Sequence, residues 1–437
     1  MLYGPDWGDE RLRVAIASWL SDFYNPAGSI HKDRITVTGG ASQNLGCILQ
    51  TFTDPEYTRN IWIVSPAYML AFRIFDDSGF SKKLRAVPED EEGVDIEFLR
   101  REIKKSEDDA MAKGNTKPLL KPSRPWSKMY KHIIYAVPTF SNPSSKTMTL
   151  RRREELVRIA RDYDALIVTD DVYDQLQWPP DGKIQESASS TSVVPRIVDV
   201  DRTHDGGAER DGGDGFGNAA SNGSFSKILG PGVRTGWCPG TKKFAYGVSQ
   251  TGTSRSGGAP SHLVATFIAT LLEQGKLQNH ITKTLQPTYA RRFRTLMSAI
   301  QKHLVPLGVS LPQTDRKIVG GYFVWLDLPT RINAPLLSRR ARDTVSLIVA
   351  EGALFQVPGD KTCLFPYSLR LCFAWEEEEK LEEGITRLAD VLKAMLAEPE
   401  GINSRDTRRV KGQAEDESKG KVDGPGRGEL HARSKFW

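Results

Sequence analysis

The stretch Leu150-Arg-Arg-Arg-Glu-Glu-Leu-Val-Arg-Ile-Ala-Arg-Asp-Tyr163-Asp-Ala165-Leu-Ile-Val-Thr169-Asp170-Asp171-Val-Tyr173 sets two patterns side by side. Up to Tyr163 it reads as a charged amphipathic helix, and Ala165–Thr169 is an uninterrupted apolar strand. A strand that is apolar on both faces must be covered on both, the condition of a parallel sheet between helices. Two aspartates and a tyrosine stand where that strand ends.

The same rhythm runs upstream. Arg34–Thr38 reads as a strand that opens through Gly39-Gly-Ala-Ser42-Gln43 into a helix to about Phe52. Asn60–Val64 leads through Ser65-Pro-Ala-Tyr68 into a helix ending near Asp77. Leu84–Val87 with a helix near Asp95–Lys105, and then His132–Val137, extend the series. The expected fold class is α/β with a mostly parallel central sheet, and ligands in such sheets lie at the carboxyl ends of strands. Past Ser261–Glu273, a helix, residues Lys276–Leu304 predict one long helix linking two domains. Strands at Gly320–Leu328 and Leu369–Ala374, with helices near Pro335–Glu351 and Glu376–Met395, predict a smaller α+β C-terminal domain. The expected boundaries are 1–285 and 286–398, followed by a charged tail, 399–437, expected to be disordered. The glycine- and charge-rich Asp201–Asn218 predicts a mobile surface insertion.

Composition narrows the function. A chain of 437 residues, 39% hydrophobic, can bury a core large enough for two domains. A net charge of +5 with no basic stripe among aromatics argues against nucleic-acid binding. Cys47, Cys238, Cys363 and Cys372 lack metal-type spacing, so buried reduced thiols and no metal are expected. No apolar run is long enough for a membrane span, and Met1-Leu-Tyr-Gly-Pro-Asp is neither a signal nor a transit sequence. The expected location is cytoplasmic.

The chemistry-bearing residues fall at strand ends. In Ser224-Phe-Ser-Lys227-Ile-Leu-Gly-Pro-Gly-Val-Arg234, one lysine lies between a hydroxyl and an arginine. A lysine with a lowered pKa forms Schiff bases, and a serine and an arginine suit a phosphate. The other account of Lys227 is a surface lysine in a glycine-rich turn. The Gly39–Gln43 turn fits either a phosphate at a helix N-terminus or a helix capped by Ser42. Asp170 could pair with a protonated ring nitrogen, and Tyr173 with a ring oxygen; a helix cap or a metal carboxylate are the alternatives. Asn142, in Ser-Asn-Pro143, is a turn residue or a fixed amide donor. Tyr68 is a core tyrosine or a stacking face. Arg370, in an apolar strand, needs an anion, either a substrate carboxylate or an internal carboxylate.

Taken in order, Tyr3-Gly-x-x-x-Gly8, Gly-Ala-Ser-Gln, Ser-Pro-Ala-Tyr, Ser-Asn-Pro, Asp-Asp-x-Tyr, Ser-x-Ser-Lys with Arg234, and Arg-Leu-x-Phe resemble the pyridoxal-phosphate-dependent aminotransferases, class I/II, fold type I. The resemblance runs from about Tyr3 to Leu392 and is nearest to the fungal branch related to 2-aminoadipate, kynurenine and valine–pyruvate aminotransferases. It implies that Lys227 holds pyridoxal phosphate as a Schiff base and shuttles the proton between substrate Cα and C4′. It implies that Asp170 pairs with the ring nitrogen, that Asn142 and Tyr173 bind the ring oxygen, and that Tyr68 stacks on the ring. Ser42, Gln43 (through its backbone), Ser224 and Arg234 would bind the phosphate, and Arg370 the substrate carboxylate. Tyr3 would reach the phosphate of a neighbouring subunit, which implies a homodimer. Ser144-Ser145 stand where the family usually has Thr-Gly. Family members carry a longer segment before the Tyr-Gly motif, part of which covers the substrate; its absence here implies a truncated gene model or an incomplete lid.

The expected function is ping-pong transamination between an L-amino acid and a 2-oxo acid. The alternatives are a related enzyme such as a C–S β-lyase, or an inactive or regulatory homologue. No Gly-x-Ser-x-Gly elbow and no histidine beside the aspartates support hydrolytic or metal chemistry. No reader of the substrate side chain is identifiable.

Overall fold

The computed structural model describes residues 4–181, 191–311 and 317–398. Tyr3 and the tail 399–437 lie outside them. Contacts divide the chain into two compact units, one of Met1–Ala290 with Arg316–Gly321 and Gln356–Cys363, the other of Arg291–Asp315, Tyr322–Phe355 and Leu364–Trp437.

The first unit is built on an eight-stranded sheet. In chain order its strands are β1 (Ile35–Thr38), β2 (Asn60–Ser65), β3 (Leu84–Asp90), β4 (Gly93–Val94), β5 (His132–Ala136) and β6 (Ala165–Asp170). After β7 (Gln177–Trp178), which is not in this sheet, come β8 (Ala219–Ser224) and β9 (Gly236–Pro239). The order is β1-β9-β8-β6-β5-β2-β3-β4. Strands β3, β2, β5, β6 and β8 run parallel, and β9 and β1 close one edge antiparallel. The expected α/β class, mostly parallel, is therefore what the chain forms. The five strands read from sequence are all present, and β1, β2, β5 and β6 are buried along their whole length.

Helices α1 (Glu10–Tyr24), α2 (Ala41–Phe52), α3 (Met69–Phe75), α4 (Ile96–Ala112), α5 (Leu150–Asp162) and α6 (Ile197–Thr203) follow in chain order. Thr149 caps α5 by accepting from Arg152 N, and Leu156, Val157, Ile159 and Ala160 pack with α4 and α6 residues against Trp62, Ile134 and Ile167 of the sheet. Its charged face is not wholly solvated: Arg153 is fully buried and donates to Met148 O, Pro138 O, Pro195 O and Thr139 Oγ1. Four acceptors meet the cost of burying that guanidinium. On the opposite side, Phe52 of α2 stacks on Phe244 with ring centroids 4.2 Å apart.

Asp201–Asn218 is tied down more than its composition suggests. Asp201 is buried and paired with Arg161 at 2.8 Å, Asn218 N donates to Asp201 Oδ2, and Phe216 is buried. Its exposed residues are Thr203, Asp205, Gly206, Glu209 and 211–214. The expected long helix forms as one unbroken helical run, α-helical over Lys276–His280, widened to a π-helix over Ile281–Leu285, and α-helical again over Gln286–His303.

The second unit holds a three-stranded antiparallel sheet of Phe323–Asp327, Ser368–Cys372 and Ala350–Glu351. Helices Ala334–Val345 and Glu379–Ala397 accompany it. The strand expected over Gly320–Leu328 is broken at Gly321, whose φ of 76° turns the chain. Val319–Gly320 pair with Gln177–Trp178 in the first unit, and Phe323–Asp327 belong to the second. The helix expected to reach Glu351 stops at Ser346, which is left-handed with φ 51°.

Candidate active site

The site begins with the parallel strands, which end side by side. Asp170 is the last residue of β6 and Ser224 the last of β8, and Asp170 lies in register with Asn222. Beyond Ser224 the chain makes one tight turn, Phe225–Lys227, with Ser224 Oγ accepting from Ser226 N at 3.2 Å. Lys227 is thereby placed at a strand end, half-buried. It is near enough to Asp170 for its charge to favour the ionised carboxylate.

Burial dominates at Asp170 and raises its pKa to about 7, against the lowering effects of a hydrogen bond from Tyr135 and the charge of Lys227. Tyr135 Oη donates to Asp170 Oδ2 at 3.1 Å, while Oδ1 is buried with no hydrogen-bond partner among the described residues. An acceptor buried without a donor is costly and uncommon, which marks Oδ1 as awaiting one. Its neighbour Asp171 points elsewhere, accepting from Thr169 Oγ1 and Ser221 Oγ inside the protein. Asp171 Oδ1 is likewise buried without a hydrogen-bond partner among the described residues, and what sets Asp170 apart is the charge of Lys227 acting on it.

A second group of residues converges on the start of α2. Gly40 has φ 102°, open to glycine and strained for other residues. A Cβ there would lie 2.8 Å from Arg234 Nη2 and 3.7 Å from Ser224 Oγ. Arg234, itself left-handed with φ 43°, is held by Pro231 O at 2.8 Å, Gly39 O at 3.0 Å and Ser226 Oγ at 3.3 Å. The α2 N-terminus, two serines and an arginine thus surround one point, the arrangement an anion favours. Ser42 is exposed in the first turn of α2, and the Gln43 side chain folds back so that Oε1 accepts from Gly39 N. Any part Gln43 takes in binding an anion therefore falls to its backbone.

Asn142 and Tyr173 are buried in the same unit, and Tyr68 is half-buried immediately before α3. Arg370 belongs to the second unit, buried in Ser368–Cys372 with its guanidinium 4.1 Å from the Phe323 ring centroid and 4.8 Å from that of Phe355. Sequence reasoning passed over three contributors. Tyr135 was read only as part of a strand, though a tyrosine in an aliphatic strand is a signal in itself. Ser226 lay in view inside the lysine segment. Asn222 holds the α2 start by donating to Ala41 O at 2.9 Å and accepting from Asn44 Nδ2 at 2.9 Å. No group of residues able to hold a metal occurs among the described residues. None of the four cysteines is in a disulfide, and Cys47, Cys238 and Cys363 are buried. Among the described residues no helix is long and apolar enough to cross a membrane.

A mostly parallel α/β sheet with a lysine and a buried aspartate at adjoining strand ends, and an arginine and serines about a helix N-terminus, fits a cofactor-dependent enzyme class. The sequence profile of the aminotransferase class I and II family matches residues 1–388, and the chain belongs to this family of pyridoxal-phosphate-dependent, fold type I enzymes. An uncharacterized protein of Saccharomyces cerevisiae is 33% identical over 90% of this chain and 87% of its own. Aromatic-amino-acid aminotransferase 1 of Thermococcus litoralis is 28% identical over 90% of this chain and 79% of its own. Among solved structures, the kynurenine aminotransferase of Pyrococcus horikoshii superposes with a TM-score of 0.69 at 26% identity, covering 91% of this chain and 83% of the other.

Proposed function

We propose that this enzyme moves the amino group of an L-amino acid to a 2-oxo acid in two half-reactions, with pyridoxal 5′-phosphate bound in its first unit. The observation that carries the reading is the Asp170 carboxylate, buried beside Lys227 with Oδ1 unpartnered among the described residues. That oxygen suits the protonated ring nitrogen of the cofactor, and the cradle at Gly40, Ser224 and Arg234 suits its phosphate. When bound, pyridoxal phosphate supplies the electron-accepting ring and the carbonyl that exchanges amino groups.

The chain supplies the rest. Lys227 Nζ would hold the cofactor covalently and, once the substrate amine had displaced it and left it a free amine, would be the base that takes the proton from the substrate Cα. Asp170 keeps the ring nitrogen protonated. Asn142 and Tyr173 hydrogen-bond the ring oxygen, and Tyr68 covers one ring face. Ser42, the Gln43 backbone, Ser224 and Arg234 bind the phosphate. Arg370 receives the substrate carboxylate, for which a planar guanidinium is well shaped. Tyr3 of a second copy completes the phosphate site, so a homodimer belongs to the proposal, as does a cytoplasmic location.

The test is the absorbance spectrum of purified protein with pyridoxal phosphate, before and after borohydride, across a panel of L-amino acids. The expected result is a visible band that one or more amino acids abolish, and that borohydride bleaches while fixing the cofactor irreversibly onto Lys227. The panel should contain aromatic amino acids and 2-aminoadipate, since relatives are an aromatic-amino-acid aminotransferase and a 2-aminoadipate transaminase. No band, with Lys227 unlabelled, would sink the cofactor assignment. Release of ammonia and pyruvate from a thioether amino acid would replace transfer by lyase chemistry.

A further inference from the structure

Tyr135 of β5 lies opposite Val168 of β6, and cross-strand partners share a face of the sheet. Asp170, two residues beyond Val168, is on that face too, so the register itself delivers the phenol to the carboxylate. Tyr135 is 1% exposed, and Phe75 packs edge-on against its ring with centroids 5.6 Å apart. Its hydroxyl donates to Asp170 Oδ2 at 3.1 Å. Burial, and next the charge of Asp170, hold the phenol well above its ordinary pKa, so it remains a donor at every working pH.

The two oxygens of Asp170 are thereby made inequivalent: one is occupied by Tyr135, the other is buried and open. We propose that Tyr135 is a positioning residue for the cofactor, holding one oxygen of Asp170 so that the other meets the ring nitrogen and the carboxylate stays ionised. The inference rests on the reading of Asp170 given above and adds a residue to it. The charged groups that act on Asp170 are Asp171, which disfavours ionisation, and Lys227, which favours it. Tyr68 and Tyr173 lie near enough to act on the Tyr135 phenol. Without the Tyr135 hydroxyl, a buried carboxylate loses a hydrogen bond to its charged form and becomes more basic. The proton it shares with the ring nitrogen then moves toward Asp170, and the ring becomes a weaker electron acceptor.

The experiment uses the full chain reconstituted with pyridoxal phosphate isotopically labelled at the ring nitrogen, read by nitrogen NMR, in wild type and Tyr135→Phe. The phenylalanine keeps the packing on Phe75. The expected result is a protonated ring nitrogen in wild type and a resonance displaced toward the unprotonated position in the variant. The variant's kcat falls roughly tenfold, the size expected for a lost charge-assisted hydrogen bond, with KM for the amino acid little changed. A fluorinated tyrosine at position 135, a stronger donor of nearly the same shape, shifts the resonance the opposite way, which a purely structural role would not do. If wild type is protonated and neither replacement moves the resonance, Tyr135 has no such role while the Asp170 reading stands. An unprotonated ring in wild type overturns both.

Discussion

Asp170 shows how one position makes a demand of its surroundings. A carboxylate at the end of a central strand loses its hydration, and burial raises its pKa from 3.8 to about 7. A group whose folded pKa is raised contributes stability that is fully present below its unfolded pKa and lost as pH rises through the folded one. Asp170 therefore costs the cofactor-free protein up to roughly 4 kcal/mol between about pH 4 and pH 7. Asp170→Asn, titration-free and of the same shape, should make the cofactor-free protein more stable at pH 8 than wild type, with the difference vanishing toward pH 4; chemical denaturation at several pH values measures it. The same variant should lower kcat/KM by several orders of magnitude, since a neutral amide cannot hold the ring nitrogen's proton; steady-state kinetics with the best amino acid checks this. Asp170, Lys227 and Arg234 were legible in the sequence because each is a charged residue in an apolar or glycine-rich setting. Tyr135 was not, because what matters is the strand beside it.

Among the elements, the turn between β1 and α2 carries the proposed anion site, and it is held from β8. Asn44 Nδ2 donates a buried hydrogen bond to Asn222 Oδ1, and Asn222 Nδ2 donates to Ala41 O. Asn222→Ala leaves Asn44 and Ala41 without those partners and should cost about 2 kcal/mol of stability. It should also weaken cofactor binding, which fluorescence titration with pyridoxal phosphate would register. Gly40→Ala places a Cβ against Arg234 at a φ of 102° and should weaken that binding further, with a stability loss of about 1–3 kcal/mol. Strand β8 itself, Ala-Ala-Ser-Asn-Gly-Ser, escaped sequence reading. Its residues are small and polar with little strand preference, and its pairing with β6 and β9 makes it a strand. Small residues are needed there: a Cβ on Gly223 would fall 2.2 Å from the Trp237 ring.

For the whole molecule, the proposed cofactor residues among those described all belong to the first unit and Arg370 to the second. The two functions should therefore separate by mutation. Arg370→Ala is expected to keep the cofactor's visible band while lowering kcat/KM roughly 100-fold through loss of a bidentate charge-assisted contact; spectra and kinetics on one preparation decide it. A variant that loses the band as well would show that Arg370 acts through folding. The sequence by itself determined the α/β class and the positions of the parallel strands, since side chains apolar on both faces leave a strand no other environment. It also determined which charged residues stand at strand ends, because strand and motif are contiguous in the chain. Only the tertiary structure decided that Oδ1 of Asp170 is the open oxygen, that Arg234 reaches back to Gly39 and Gly40, and that Val319–Gly320 and Phe323–Asp327 part company at Gly321. Those facts depend on register and on contacts between segments far apart in sequence, which no local pattern of residues encodes.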